Sequence, residues 1–331
     1  AERLGALAVR APSMEVAVLR QKVHGRPASA YAEVIREQCR EHGVNADVTL
    51  ARTPGEERAA LARADVATGI EFDETWLDEA AVNLFACVYA GTDHLPLDAL
   101  AERGIAVTNA SGVHGPNVAE FVVGAVLAFV REFWTARRHQ RARRWESFNA
   151  TELAGSTVTV VGQGAIGRTV VERFDAFDVE TLAVRWSPAK SGPADETVGY
   201  DQFHNALART DHLVLACPLT EDTQGLVDED ALATLPTHAT LTNIARGPVV
   251  DTDALVLALR DDHVRGAALD VTDPEPLPEN HPLWGFEEVL ITPHNAGDTP
   301  NYYQRRAGIL ARNLARVAET GTFADLENQV G

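Results

Sequence analysis

The stretch Ser156 to Gly167, Ser-Thr-Val-Thr-Val-Val-Gly-Gln-Gly-Ala-Ile-Gly, limits what this chain can fold into more than any other. Thr157 to Val161 is a β-branched run and predicts a buried strand. It leads straight into Gly162-x-Gly164-x-x-Gly167, after which Ile166, Val170, Val171 and Phe174 recur at helical spacing. A glycine pattern alone is often only a turn; strand, turn and helix in this order make it informative. Gly162 permits the tight turn, Gly164 lets a pyrophosphate approach the backbone, and Gly167 lets the helix lie close on the strand. Ala165 and Ile166 open that helix, whose N–H groups would receive the phosphates. The stretch predicts a dinucleotide site. Because it falls in mid-chain, another folded segment must come before it.

Apolar runs alternate with helical patterns on both sides. Met14–Leu19, Val44–Leu50, Asp65–Ile70, Asn83–Val88 and Ile105–Thr108 read as strands, with helices at 30–42, 55–63 and 97–103 between them. Beyond the glycine turn, strands are expected at Thr181–Arg185, His212–Ala216, Ala239–Ile244, Gly266–Val271 and Glu288–Thr292. A last helix, 301–318, returns to the first domain. This alternation predicts an α/β fold of two doubly wound parallel sheets. Such sheets collect ligands at the carboxyl ends of strands, which marks Thr68-Gly69 and Ala90-Gly91-Thr92 as candidate ligand loops. Residues 117–135 predict one long, nearly uncharged helix. From Phe121 to Val130 it is apolar all round, and so buried between domains or subunits.

With 331 residues, 45% of them hydrophobic, the chain has material for two domains. Its net charge of −19 argues against nucleic acid and anionic membranes as partners. Lysine occurs only at Lys22 and Lys190. An acidic, lysine-poor chain suits a high-salt cytoplasm, where charges are screened over about 3 Å at 1 M salt; a GC-rich genome is the alternative. The cluster Arg137, Arg138, Arg141, Arg143 and Arg144 reads as a helix-end cation group facing acidic surface of this protein or its partner. Cys39, Cys87 and Cys217 make no C-x-x-C pair, which suits a reducing cytoplasm. No long uncharged apolar run is present, and Glu2, Arg3 and Arg10 interrupt any signal-peptide layout. A cytoplasmic location is therefore expected.

Three side chains at predicted strand ends suit hydride transfer between a nicotinamide and a carbonyl. Arg246 offers a fork for a carboxylate. His294 offers an acid/base group that titrates near neutrality. Glu275, in Asp270-Val271-Thr272-Asp273-Pro274-Glu275-Pro276, offers a carboxylate to fix the imidazole tautomer. Trp284 could close the pocket or pack the core, and core packing is the favoured reading. NAD sites commonly place an acid at the end of the second strand, near the ribose. Here that position holds Arg185, with Ser187 and Lys190 after it. These groups suit a ribose 2′-phosphate, so NADP(H) is expected to be preferred, with NAD(H) possible.

With these residues in place, the chain resembles the D-isomer-specific 2-hydroxyacid dehydrogenase family over nearly its whole length. The resemblance is carried by Tyr89 to His94, Asn109 to His114, Ala119-Glu120, the glycine turn, Cys217-Pro218-Leu219-Thr220 with Thr223, Asn243 to Gly247, Asp270 to Pro276, and Thr292 to Gly297. It implies a Rossmann coenzyme domain (110–297) inserted into a flavodoxin-like substrate domain (1–109 with 298–331). It implies a catalytic site of Arg246, Glu275 and His294, with Arg246 and His294 also contacting substrate. The backbone of Ala90, Gly91 and Thr92 would bind the substrate carboxylate. Asp270 would hold the nicotinamide carboxamide, Pro218, Thr223 and Ala245 would line the cofactor, and Asn117 would lie near its phosphates or nicotinamide. No metal is implied. The expected activity is reduction of a small 2-oxo acid to the D-2-hydroxy acid, in a homodimer formed through the coenzyme domain. Three readings compete: a formate or phosphonate dehydrogenase of the same fold, a non-catalytic, nucleotide-sensing interaction protein, and a bare Rossmann protein of unrelated activity, which an order other than Arg, Glu, His would have suggested.

Overall fold

The computed structural model describes residues 13–23, 25–190 and 192–330. Glu2, Arg3 and Arg10, on which the signal-peptide expectation rests, lie outside them. The chain divides into two compact units, Ala1–Val113 with Thr299–Gly331, and His114–Asp298.

In the first unit the strands are β1 (Met14–Val18), a small hairpin of β2 (Lys22–Val23) and β3 (Arg26–Pro27), β4 (Ala46–Leu50), β5 (Val66–Gly69), β6 (Leu84–Cys87) and β7 (Ala106–Thr108). The helices are α1 (Ala28–Glu41), α2 (Pro54–Leu61) and α3 (Leu97–Glu102). The parallel sheet runs β4-β1-β5-β6-β7, a flavodoxin-like order. Its β7 edge is covered by the antiparallel pair Gln329–Val330. Strands β5 and β6 are buried at every position, as parallel strands covered on both faces must be. Tyr31 and Ile35 of α1 pack with Tyr302, Leu310 and Leu314 of the helix Tyr302–Thr320 on one face. Leu61, Phe85 and Leu100 fill the other.

The second unit contains α4 (Gly115–Val130), α5 (Phe133–Arg141), β8 (Thr157–Val161), α6 (Ala165–Phe174), β9 (Glu180–Val184), β10 (Glu196–Val198), α7 (Phe203–Leu207), β11 (His212–Leu215), α8 (Glu229–Thr234), β12 (Thr240–Asn243), α9 (Thr252–Arg260), β13 (Gly266–Leu269) and β14 (Val289–Ile291). Its seven strands are parallel in the order β10-β9-β8-β11-β12-β13-β14. This is the Rossmann order, and it reverses between β8 and β11, which sets the ligand crevice at their carboxyl ends.

Residues 117–135 do not form one helix. α4 ends at Val130 and α5 starts at Phe133. Between them Glu132 adopts a left-handed conformation, φ 55°. Arg265, distant in sequence, holds the break: its Nη2 donates to the Phe129 carbonyl at 2.7 Å and to the Glu132 carboxylate. Nor is α4 buried all round within its own unit: it buries Val122, Ala125, Val126, Phe129 and Val130, whereas Gly124 is exposed and Phe121, Leu127 and Ala128 are half-buried. Among the described residues no helix is long and apolar enough to cross a membrane.

Candidate active site

The glycine turn closes the end of β8. Gly162 has φ +92°, and a Cβ there would sit 2.7 Å from the Cys217 backbone beyond β11. Only glycine lets the two strand ends come so close. A Cβ on Gly167 would collide with the Gly162 carbonyl. Gly164, which precedes α6, is different: a Cβ there would meet no protein atom within 4 Å. The protein itself does not require that glycine, whereas a phosphate approaching the helix N-terminus does.

A cavity of about 390 Å³ adjoins this turn, lined by Gly162, Gln163, Gly164, Arg185, Ser187, Lys190, Pro218 and Thr223 among others. The groups expected at the cofactor's ribose, Arg185, Ser187 and Lys190, thus all line one cavity. Arg185 Nη1 lies 3.3 Å from both Gln163 Oε1 and the Lys190 carbonyl. Gln163 is 5% exposed, and its Nε2 is buried without a hydrogen-bond partner. This residue escaped the sequence reading because it is a variable letter between two glycines. In the same lining, the Thr223 hydroxyl donates to the Pro218 carbonyl at 2.6 Å and accepts from Thr220 N at 2.8 Å, which fixes the loop beyond β11.

The ends of β12, β13 and β14 carry the remaining candidates. Asp270 follows β13 and is 4% exposed. Its Oδ1 accepts from the Thr292 hydroxyl at 2.6 Å, Asn295 N at 2.7 Å and Ala296 N at 2.9 Å. A buried carboxylate satisfied by backbone donors is a strong organising group. Here it holds the loop on which His294 stands. That loop is tight: His294 has φ 51°, and its N–H donates to the Asp270 carbonyl at 2.8 Å. The imidazole Nδ1 meets Glu275 Oε1 at 2.9 Å. A carboxylate accepts only, so Nδ1 carries the hydrogen and Nε2 is left for other work.

Arg246 stands on the loop after β12, exposed, with Nη1 donating to the Ala245 carbonyl at 2.7 Å. Its neighbour Gly247 lies against the other loop of the site, where a Cβ would sit 2.7 Å from Asp273 N and nearer still to Thr272. Asn117 of α4 donates to the Ala296 carbonyl at 2.8 Å, so it too braces the His294 loop. Beside Glu275 and His294 is a cavity of about 550 Å³ with Leu277, Trp284 and Ile291 in its lining. Trp284 is not core packing. It is 53% exposed, its Nε1 donates to the Pro278 carbonyl at 2.9 Å, and its ring walls that cavity.

In the other unit, Ala90, Gly91 and Thr92 form an open loop beyond β6. It is tied by Asn109 Nδ2 to the Ala90 carbonyl at 2.7 Å and by Leu95 N to the Thr92 carbonyl at 2.9 Å. A Cβ on Gly91 would meet nothing closer than Asp93 at 4.0 Å, so here too the protein does not demand the glycine. Thr68 and Gly69, by contrast, are not a ligand loop. Thr68 is fully buried in β5 with its hydroxyl on the Ala86 carbonyl, and Gly69 backs onto Leu19.

A Rossmann sheet with a glycine turn at its switch point defines a dinucleotide-binding α/β protein. Residues 123–296 match the family model described as D-isomer specific 2-hydroxyacid dehydrogenase, NAD binding domain. The coenzyme class is therefore a nicotinamide dinucleotide. The chain is 39% identical over 251 residues to the glyoxylate reductase of Thermofilum pendens, covering 72% of this chain and 73% of that one. It is 33% identical over 250 residues to the mouse (Mus musculus) glyoxylate reductase/hydroxypyruvate reductase, covering 73% and 76%. Among solved structures, it is similar to the D-isomer specific 2-hydroxyacid dehydrogenase of Xanthobacter autotrophicus Py2, in complex with NADPH and MES, with a TM-score of 0.75, 26% identity, and 97% and 98% of the chains covered. This chain belongs to the D-isomer specific 2-hydroxyacid dehydrogenase family of oxidoreductases.

Proposed function

We propose that this protein reduces a small 2-oxo acid to the D-2-hydroxy acid, with NADP(H) preferred over NAD(H). The observation that carries the reading is the Glu275–His294 pair, 2.9 Å apart on a loop fixed by buried Asp270. The nicotinamide, when bound, supplies the hydride to the carbonyl carbon. His294 enters the reduction as the imidazolium, gives its Nε2 proton to the carbonyl oxygen and is left neutral with its hydrogen on Nδ1, so that the alcohol leaves neutral; in the reverse direction the free Nε2 takes that proton back. Glu275 keeps the hydrogen on Nδ1 and stabilises the imidazolium, the proton donor for reduction and the form that results from oxidation. Arg246 holds the substrate carboxylate and polarises its carbonyl, and the backbone of Ala90, Gly91 and Thr92 takes the carboxylate from the substrate side. The unit His114–Asp298 is the coenzyme unit and the other is the substrate unit.

Gly164, Ala165, Ile166 and Gly167 cradle the pyrophosphate, while Pro218, Thr223 and Ala245 line the coenzyme. Asp270 adds the carboxamide contact to its bracing role. Arg185, Ser187 and Lys190 face the 2′-phosphate; a carboxylate there would repel it. The names of the relatives point to glyoxylate and hydroxypyruvate as first substrates to try. The half-exposed strip of α4, Phe121, Leu127 and Ala128, supports a homodimer through the coenzyme unit. Free, buried Cys39, Cys87 and Cys217 suit a reducing cytoplasm.

The test is a panel of glyoxylate, hydroxypyruvate, pyruvate and branched 2-oxo acids with NADPH and NADH, with chiral analysis of the products. Turnover with at least one acid, a D product wherever a stereocentre forms, and a lower KM for NADPH are expected. An L product, or silence across the panel at low and high salt, would remove the reading.

A further inference from the structure

The helix Tyr302–Thr320 carries a cation, Arg306, into the core of the first unit. The residue is 3% exposed. Its guanidinium carbon lies 4.2 Å from the centre of the Tyr31 ring, 5.2 Å from Tyr302 and 6.0 Å from Tyr303. Aromatic faces attract the cation, but they leave the N–H groups of its two terminal nitrogens without acceptors. Neither Nη1 nor Nη2 has a hydrogen-bond acceptor, and Arg306 belongs to none of the ion pairs among the described residues. Nor do the tyrosines supply a counter-charge. The Tyr302 hydroxyl donates to the Val88 carbonyl at 2.5 Å and the Tyr303 hydroxyl to the Arg26 carbonyl at 2.9 Å. Burial pushes the Tyr302 phenol up to about 12, against the pull of the Arg306 charge, so it stays neutral.

A guanidinium keeps its charge throughout the working pH range, and burying one without a counter-ion is strongly unfavourable. Arg306 lines a cavity of about 10 Å³ together with Tyr31, Cys87, Thr108 and Asn109. That is room for one water-sized or halide-sized species, and too little for a carboxylic acid. One water would satisfy a donor and leave the charge uncompensated. We infer that this cavity binds a single monovalent inorganic anion of halide size, chloride in the first instance, on the terminal nitrogens of Arg306. The site lies behind the candidate substrate loop. Asn109, on the cavity wall, holds the Ala90 carbonyl, and Tyr302 holds Val88 at the root of the same loop. Anion binding therefore stabilises the first unit and the segment leading to Ala90. The inference is independent of the dehydrogenase reading.

Calorimetric melting of the full chain tests it, with chloride exchanged for gluconate at fixed sodium and ionic strength. For the wild type, Tm is expected to rise by roughly 2–5 °C for each tenfold of chloride above its dissociation constant. Arg306→Met, which keeps the apolar volume, is expected to melt at the same temperature in both salts. Crystals of the wild type grown in sodium bromide are expected to show an anomalous peak beside Arg306, a result that does not depend on the variant folding. Equal wild-type Tm in chloride and gluconate, a chloride response kept by Arg306→Met, or a water in the cavity without bromide signal would each overturn the site.

Discussion

Arg185 and Gln163 show how far single residues can be read. Arg185 is legible from its distance beyond Gly167, because the β-α-β geometry fixes the spacing to the ribose position. Gln163 is not, because no spacing rule assigns a role to the letter between two glycines; only its buried, unpartnered Nε2 draws attention. Arg185→Ala is expected to weaken NADPH binding by about 10–100-fold, the worth of one charge-assisted hydrogen bond, and NADH binding far less, as read by titration of Trp fluorescence. Equal losses for both coenzymes would count against the 2′-phosphate role. His212 is a different case. It is 4% exposed in β11, with Nδ1 2.8 Å from the Thr240 hydroxyl. Burial pushes its pKa down from the usual 6.5 to about 4. Between those values the unfolded chain binds the extra proton and the folded one does not, so stability is lost as pH falls from about 6.5 to about 4. This residue alone contributes a slope approaching about 1.4 kcal/mol per pH unit. His212→Gln is expected to flatten the acid limb of a urea-unfolding series by that amount, and an unchanged limb would show that His212 does not titrate this way.

At the scale of elements, the strands were legible because parallel strands covered on both faces must be continuous apolar runs. What was missed depends on partners distant in sequence. Gln329–Val330 is too short to show a period and exists because it pairs with β7. The break between α4 and α5 is set by Arg265, more than a hundred residues away, and no local propensity announces it. Arg265→Ala is expected to cost about 1–3 kcal/mol, the price of losing its charge-assisted hydrogen bonds to the Phe129 carbonyl and the Glu132 carboxylate, measured by denaturant unfolding. The two loops of the candidate site are coupled through Gly247, whose bare Cα lies against Thr272 and Asp273. Gly247→Ala is expected to cost about 1–3 kcal/mol by overpacking. It should lower kcat as well, since it displaces both Arg246 and Glu275; wild-type kcat with lowered stability would separate packing from site geometry.

For the whole molecule, the order of strands in each sheet was readable in outline, because alternating strands and helices admit few parallel arrangements. Charge is the other global property. At −19 the chain repels itself, and salt shortens the reach of that repulsion from about 10 Å at 0.1 M to about 3 Å at 1 M. Tm is therefore expected to rise with sodium gluconate over that range, before any chloride effect, and a flat or falling curve would remove self-repulsion as a limit on stability. The central claim, that His294 transfers the proton during reduction of a 2-oxo acid, is tested most directly by His294→Gln. Its NADPH oxidation at 340 nm would be followed with whichever acid the wild type reduces fastest, and its NADPH affinity measured beside it. The account predicts kcat reduced by about 10²–10⁴-fold with NADPH affinity unchanged. Full turnover in that variant would contradict it.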